Sequence, residues 1–367
     1  MKTLQIVTNT NCNLQCTYCY EKLNQKVNTF SNIKSQIDSI WPVFTKGEED
    51  KIVEVIGGEA LLYVDMLEQI FQYMLTLDNS VHFSLITNGT LIHKDNKVQN
   101  FLLKYKDILK LGCSLDGTKE NHNFYRKYND GHGSYDDVIK SVQWLKENYP
   151  RNMLRTKVTF THETIDKLYE SVINLIELDF TDKIGSMPVS EEKWTIEESA
   201  SITKQLFDII DYLYEHNLEN KIDLFFILNK EYINLASITT KTKRERWCRC
   251  CTDVQCIGFD NKIYPCNRYC INKPNMNIGE VVQNETIYNT ELINKLIGQI
   301  DNYNNDCKEC SIQYWCGMCE CIAYEFNENN PSEFLNQKYM CGWFHAITLT
   351  RYYARNKYIQ KHMNNNK

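Results

Sequence analysis

The stretch Asn9-Thr-Asn-Cys12-Asn-Leu-Gln-Cys16-Thr-Tyr-Cys19-Tyr20 sets three thiols in one short loop, directly after the strand-like run Leu4–Thr8. In parallel α/β barrels the loops at the carboxyl ends of the strands carry the chemistry. Three thiolates in C-x3-C-x2-C spacing can bind three irons of a cubane and leave the fourth iron without a protein ligand. A structural zinc site would want a fourth Cys or His within a similar distance, and none follows until His82. The loop therefore points to a catalytic iron–sulfur cluster with an open position.

Outward from that loop, the first half of the chain alternates short apolar or β-branched runs with helical patterns. Strands are expected at Leu4–Thr8, Lys51–Ile56, His82–Thr87, Leu109–Ser114, Leu154–Phe160 and Phe180–Met187. Helices are expected at Tyr63–Leu77, Lys97–Asp107, Tyr135–Asn148 and Ile165–Glu177. Such alternation implies parallel strands joined by right-handed crossovers. Six units predict an α/β fold with a partial (β/α)6 barrel over residues 1–190. Glu192–His216 reads as a long helix inside a bridging region, 191–246. A small cysteine-rich domain with a β-hairpin and helices is expected over 247–345, then a helix and polar tail over 346–367.

Net charge is −6, which argues against binding nucleic acid through its phosphates. Apolar residues make up 43%, enough to build a core. No apolar run approaches the roughly 18 residues of a membrane span, and Met1–Val7 lacks the apolar stretch of a signal peptide. A cytoplasmic protein with neither nucleic-acid nor membrane partner is expected. Of sixteen cysteines, three fall in the first loop, one is Cys113, and twelve lie between Cys248 and Cys341. In a chain of this size that clustering reads as metal or redox chemistry rather than disulfides. Cys113, on the fourth strand, reads as a small core residue. The basic run Lys241, Lys243, Arg244, Arg246 and Arg249 reads as a solvated linker, an offset to thiolate charge, or a dock for an acidic electron donor.

C-x3-C-x-aromatic-C after a first strand, with Tyr18 as the aromatic, resembles the radical S-adenosylmethionine (SAM) superfamily. The resemblance implies that Cys12, Cys16 and Cys19 hold a [4Fe–4S] cluster whose open iron is chelated by SAM. One electron then cleaves the sulfonium to methionine and a 5′-deoxyadenosyl radical; the cofactor carries the chemistry and the protein aims it. It further implies that Gly57-Gly58-Glu59 meets the SAM ammonium, the glycines letting backbone approach a ligand closely. Asn88 ends the third strand. Ser114 would contact the ribose, Arg126 the SAM carboxylate, Tyr20 the adenine, and Met187 the adenosine pocket.

The C-terminal third resembles the SPASM domain, which carries two auxiliary [4Fe–4S] clusters. Its pattern places Cys248 or Cys250, Cys251, Cys266 and Cys319 or Cys321 on the first. Cys307, Cys310, Cys316 and Cys341 fall on the second. Two departures stand out: Asn261 replaces a glycine of the hairpin turn, and Glu320 stands where a cysteine is expected. Asparagine tolerates the left-handed backbone, so the turn survives.

Enzymes of this architecture modify peptides or proteins. The layout resembles the anaerobic sulfatase maturases, which oxidise a Cys or Ser to formylglycine and carry an aspartate after the hairpin cysteine. Here that position is Asn267, and an amide cannot serve as an ordinary general base. The expectation is therefore a maturase that crosslinks or otherwise oxidises a ribosomally made peptide. The runner-up is a sulfatase maturase or a small-molecule dehydrogenase of the superfamily. Partners implied are a peptide substrate, a flavodoxin or ferredoxin-type donor, and a separate leader-binding protein, since the chain opens at the barrel. Asp116, Glu163 and Tyr264 are further residues that could touch substrate.

Overall fold

A computed structural model of the chain describes residues 1–21, 25–48, 50–228, 246, 248–298, 305–317, 319–321, 324 and 340–365. Its strands are β1 Lys2–Asn9, β2 Lys51–Gly57, β3 His82–Thr87, β4 Leu109–Ser114, β5 Leu154–Phe160, β6 Ile184–Pro188, β7 Val254–Ile257, β8 Lys262–Tyr264, β9 Gly279–Val282 and β10 Glu285–Tyr288. The helices that matter below are α1 Phe30–Phe44, α2 Val64–Leu77, α3 Asn96–Tyr105, α4 Tyr135–Asn148, α5 Leu168–Leu178, α6 Ser199–Glu215, α7 Asn267–Asn272 and α8 Cys341–Asn365. The expected strand–helix alternation is present, and the fold is α/β with a parallel core. One strand differs from expectation: β6 starts at Ile184, not Phe180. Asp179 takes a left-handed conformation (φ 51°) that closes α5, so the chain must turn before it can extend.

The chain divides into two compact units. The first comprises Met1–Ser114, Asn123–Leu154 and Cys248–Gly298; the second comprises Leu115–His122, Arg155–Trp247 and Gln299–Lys367.

In the first unit β1, β2, β3 and β4 pair in parallel, in sequence order. On the other side of β1 lies β7, also parallel, followed by antiparallel β8, β9 and β10. The cysteine-rich hairpin therefore extends the sheet that carries the first cysteine loop. Helices cover the strands with apolar faces: Phe71 of α2 stacks on Phe83 of β3 at 3.7 Å, with Phe101 and Tyr105 of α3 closing round it. Full burial of side chains of this kind contributes about 1.5–3 kcal/mol each. The start of α1 is fixed by Thr29, whose hydroxyl accepts from the Asn32 amide at 3.2 Å.

In the second unit β5 and β6 pair in parallel. α6 and α8 pack together, with Phe207 stacked on Tyr353 at 4.0 Å and Asp211 accepting from Tyr353 and Lys357. Phe160, Trp194 and Trp343 form an aromatic core beside them. Gly342 is obligatory there, because an added Cβ would lie 2.2 Å from the Thr195 carbonyl. No described helix is long and apolar enough to cross a membrane.

Candidate active site

The first cysteine loop is held from two sides within the first unit. Gln15 and Thr17 donate backbone hydrogen bonds to the carbonyls of Lys127 and Tyr125, and Leu14 bridges Tyr128. This pairing brings Arg126 to the cysteines across more than a hundred residues of sequence. On the other side Asn88, at the end of β3, donates to Asn13 Oδ1 at 2.8 Å and approaches Cys12 Sγ at 3.8 Å. The Leu14 amide donates to the same sulfur at 3.4 Å. Burial pushes the Cys12 thiol up to about 12 and the Cys19 thiol to about 11. Thiolates at these places require a cation against them, which is what iron ligation supplies.

Gly57 and Gly58 are needed by the loop itself. A Cβ on Gly58 would lie 2.5 Å from the Asn11 carbonyl oxygen, and one on Gly57 would lie 2.6 Å from Asn9 Nδ2. Their absence lets Gly58 and Glu59 donate backbone hydrogen bonds to Asn9 and Asn11. Glu59 is fully buried, and burial raises its carboxyl. Three donors hold it: the Leu61 amide, the Thr87 hydroxyl at 2.8 Å and the Asn88 amide at 2.7 Å. This acid ties the ends of β2 and β3 under the loop. Replacing Gly58 with alanine should therefore cost about 1–3 kcal/mol by overpacking. A lower urea midpoint of the iron-free protein would register it; an unchanged midpoint would mean the loop has room to shift.

Cys12, Cys16, Cys19, Gly58, Ser114 and Arg126 line one cavity of about 630 Å³, within the size range of small-molecule sites. Tyr18, Tyr20, Gly57, Glu59, Asn88 and Asn267 line it too. Arg126 is 9% exposed, and its guanidinium sits 5.3 Å above the Tyr18 ring, where it also favours the Cys19 thiolate. Asn267 opens α7; its side-chain amide donates to Tyr20 Oη at 2.9 Å and its backbone N–H to Gln5 Oε1 at 2.8 Å. Three further polar residues of the wall lay outside the sequence reading: Gln5, Glu54 and Glu21. Gln5 Nε2 donates to Glu54 Oε2 at 2.8 Å. Both interrupt apolar strands at alternate positions, and that interruption was their visible signal. Burial raises Glu21 to about 7, and its Oε2 is buried without a hydrogen-bond partner among the described residues.

Other expected residues have their own places in the fold. Met187 lies on β6 and Glu163 beyond β5, both in the second unit. Asp116 is buried and accepts from the Thr159 amide at 2.9 Å. Tyr264 is buried with its hydroxyl donating to Asp260 at 3.0 Å, so both serve the fold. Cys113 is buried beside Gly89, where a Cβ would meet its sulfur at 2.7 Å.

Of the second cysteine group, Cys248, Cys250, Cys251 and Cys266 fall in the first unit, and Cys307, Cys310, Cys316, Cys319, Cys321 and Cys341 in the second. Arg249 (φ 53°) and Cys251 (φ 68°) are both left-handed, an unfavourable conformation for such residues that recurs at functional sites. Cys310 Sγ lies 3.6 Å from His345 Nε2. Glu320, in place of an expected cysteine, is 3% exposed and accepts from Arg246, with Nη2 to Oε2 at 2.7 Å. Arg249 pairs with Asp253 at 2.9 Å. Those two arginines of the basic run thus have internal carboxylates, while Lys241, Lys243 and Arg244 lie outside the described residues.

Residues 6–173 match the family described as the Radical SAM superfamily. The chain is 24% identical over 95% of its length to a cysteine-type anaerobic sulfatase-maturating enzyme of Clostridium novyi, covering 95% of that protein. It is 24% identical over 60% of its length to the radical SAM cyclopropyl synthase TigE of Paramaledivibacter caminithermalis, covering 48% of it. Among solved structures it resembles native anSMEcpe with bound AdoMet and a Kp18Cys peptide, with a TM-score of 0.71, 22% identity, and coverage of 96% of this chain and 99% of that one. Residues 6–173 thus form a radical SAM domain, in a chain laid out as the anaerobic sulfatase maturases are.

Proposed function

We propose that the chain is a radical SAM peptide maturase, with Cys12, Cys16 and Cys19 as the ligands of its SAM-binding cluster. The observation that carries this reading is the single cavity shared by the three thiols, the Gly57–Glu59 turn and Arg126. Its donor set fits a cubane with one open iron, since three thiols and, among the described residues, no fourth cysteine or histidine line the wall. Cys12, Cys16 and Cys19 would hold the cluster, which would supply the one-electron chemistry for cleaving the SAM sulfonium. Arg126 binds the SAM carboxylate, and Asn88 and Ser114 fix polar edges of the ligand. Tyr18 and Tyr20 offer ring faces, and Met187 is kept as a candidate wall of the adenosine pocket. Two auxiliary [4Fe–4S] clusters belong to the same reading, on the cysteine sets given by the SPASM resemblance. A peptide is the proposed substrate, in keeping with the peptide-bound relative. A flavodoxin or ferredoxin-type protein is the proposed donor.

The likeness over 95% of the chain to a sulfatase-maturating enzyme favours a second reading, formylglycine formation. Against it stands Asn267, an amide in the cavity wall at the position where that chemistry wants a carboxylate. Accurate-mass comparison of a short peptide encoded beside the gene, co-expressed with and without this protein, tests the leading reading. A loss of hydrogen mass from the peptide is expected; an unaltered peptide would remove the support for a peptide-crosslinking role.

Arg126 offers a separate test. Replacing it with alanine should weaken SAM binding by about 1.5–3 kcal/mol, the worth of a hydrogen bond to a charged group. Isothermal titration with SAM would measure it. Unchanged affinity would return Arg126 to holding Tyr18 in place.

A further inference from the structure

Two cysteines that neither cluster pattern uses lie together in the first unit. Cys256 sits on β7, fully buried, and Cys270 on α7, partly exposed. Their thiols are within hydrogen-bonding reach of each other. Both supports are fixed. Cys256 pairs in register with Gln5 of β1 on one side and Tyr264 of β8 on the other. Gly258, two residues on, has its carbonyl held by the side-chain amides of Asn28 at 2.8 Å and Gln36 at 3.0 Å. A Cβ on Gly258 would lie 2.3 Å from Cys270 Sγ, so glycine at this position is what admits the helix thiol.

We propose that Cys256 and Cys270 form a redox-active dithiol site that closes to a disulfide by exchange with a low-molecular-weight disulfide such as glutathione disulfide. The more accessible Cys270 attacks the incoming disulfide, releasing one glutathione thiol and leaving a mixed disulfide. Cys256 then attacks the Cys270 sulfur, and the second glutathione leaves. The two protein thiols are oxidised, one glutathione disulfide is reduced to two thiols, and both protein protons pass to the leaving thiolates. Closure fastens α7 to β7, and α7 opens with Cys266 and with Asn267, which lines the cavity. The site therefore couples the surrounding thiol–disulfide poise to one wall of the cavity. Outside secreted proteins, disulfides of this kind are usually transient and redox-sensing.

The test uses the iron-loaded protein, equilibrated anaerobically in graded mixtures of glutathione and glutathione disulfide, then acid-quenched, alkylated and mapped by mass spectrometry. Cleavage at Arg268 separates Cys266 from Cys270, and fragmentation distinguishes Cys256 from Cys250 and Cys251. The expected result is a Cys256–Cys270 crosslink that rises with the disulfide fraction while iron content stays constant, and that vanishes in Cys270→Ser and Cys256→Ala. Full alkylation of both thiols at every poise would overturn the proposal. So would protection that persists until iron is chelated, because both cysteines would then be cluster ligands. The unaltered protein alone decides these outcomes should either variant fold poorly.

Discussion

Replacing Cys12, Cys16 and Cys19 together with alanine should lower the iron content of the anaerobically reconstituted protein by about four per chain, one cubane's worth. SAM cleavage should disappear altogether. The reason is the donor set: these thiols line the cavity, and among the described residues no other cysteine shares its wall. The fold should survive, because the loop is also held by its pairing with residues 125–128 and by Asn88. Burial keeps the Cys12 and Cys19 thiols protonated without metal, so their loss removes no buried charge. Iron at the proposed auxiliary clusters should be unaffected. Retention of full iron and of SAM cleavage would place the cluster elsewhere.

Most of this arrangement was legible in the sequence where local chemistry decides it. The cysteine loop follows an apolar run, and β1 forms there because both faces of a central parallel strand are buried. Gly57-Gly58-Glu59 was legible as a turn on the cavity wall, and the structure adds contacts the sequence did not show. The glycines admit the backbone of Asn9–Asn11, and the acid is spent on Leu61, Thr87 and Asn88. The contacts with Asn9–Asn11, Thr87 and Asn88 have no local signature, since those partners are distant in sequence. For the same reason nothing in residues 247–266 announced that β7 would lie parallel to β1. Gln5 and Glu54 were readable in principle, as polar residues at alternate positions of apolar strands. Asn267 was singled out only through a family resemblance, and the structure adds its contacts with Tyr20 and Gln5.

Formylglycine should not form when a cysteine-containing sulfatase peptide is supplied with SAM and reductant. Converting that side chain to an aldehyde requires an acceptor for its proton near the radical site, and general-base assistance is worth roughly 10²–10⁴-fold. The Asn267 side chain is neutral and already donates to Tyr20 at 2.9 Å. Aldehyde formation should therefore fall by a factor of about 10²–10⁴ below that of an enzyme with a carboxylate there. SAM cleavage should continue uncoupled, since the three thiols of the loop and Arg126 are all in place on the cavity wall. Mass spectrometry of the peptide, alongside chromatography of the nucleoside product, reads both quantities at once. Efficient aldehyde formation would promote the sulfatase-maturase reading, with another cavity carboxylate such as Glu54 as its base.

The central claim, that the cavity around Cys12, Cys16 and Cys19 holds SAM for reductive cleavage, is tested most directly by the products of SAM itself. The iron-loaded protein, incubated anaerobically with SAM and dithionite, should yield methionine and 5′-deoxyadenosine in equal amounts. Intact SAM after such an incubation, with the full iron complement present, would contradict it.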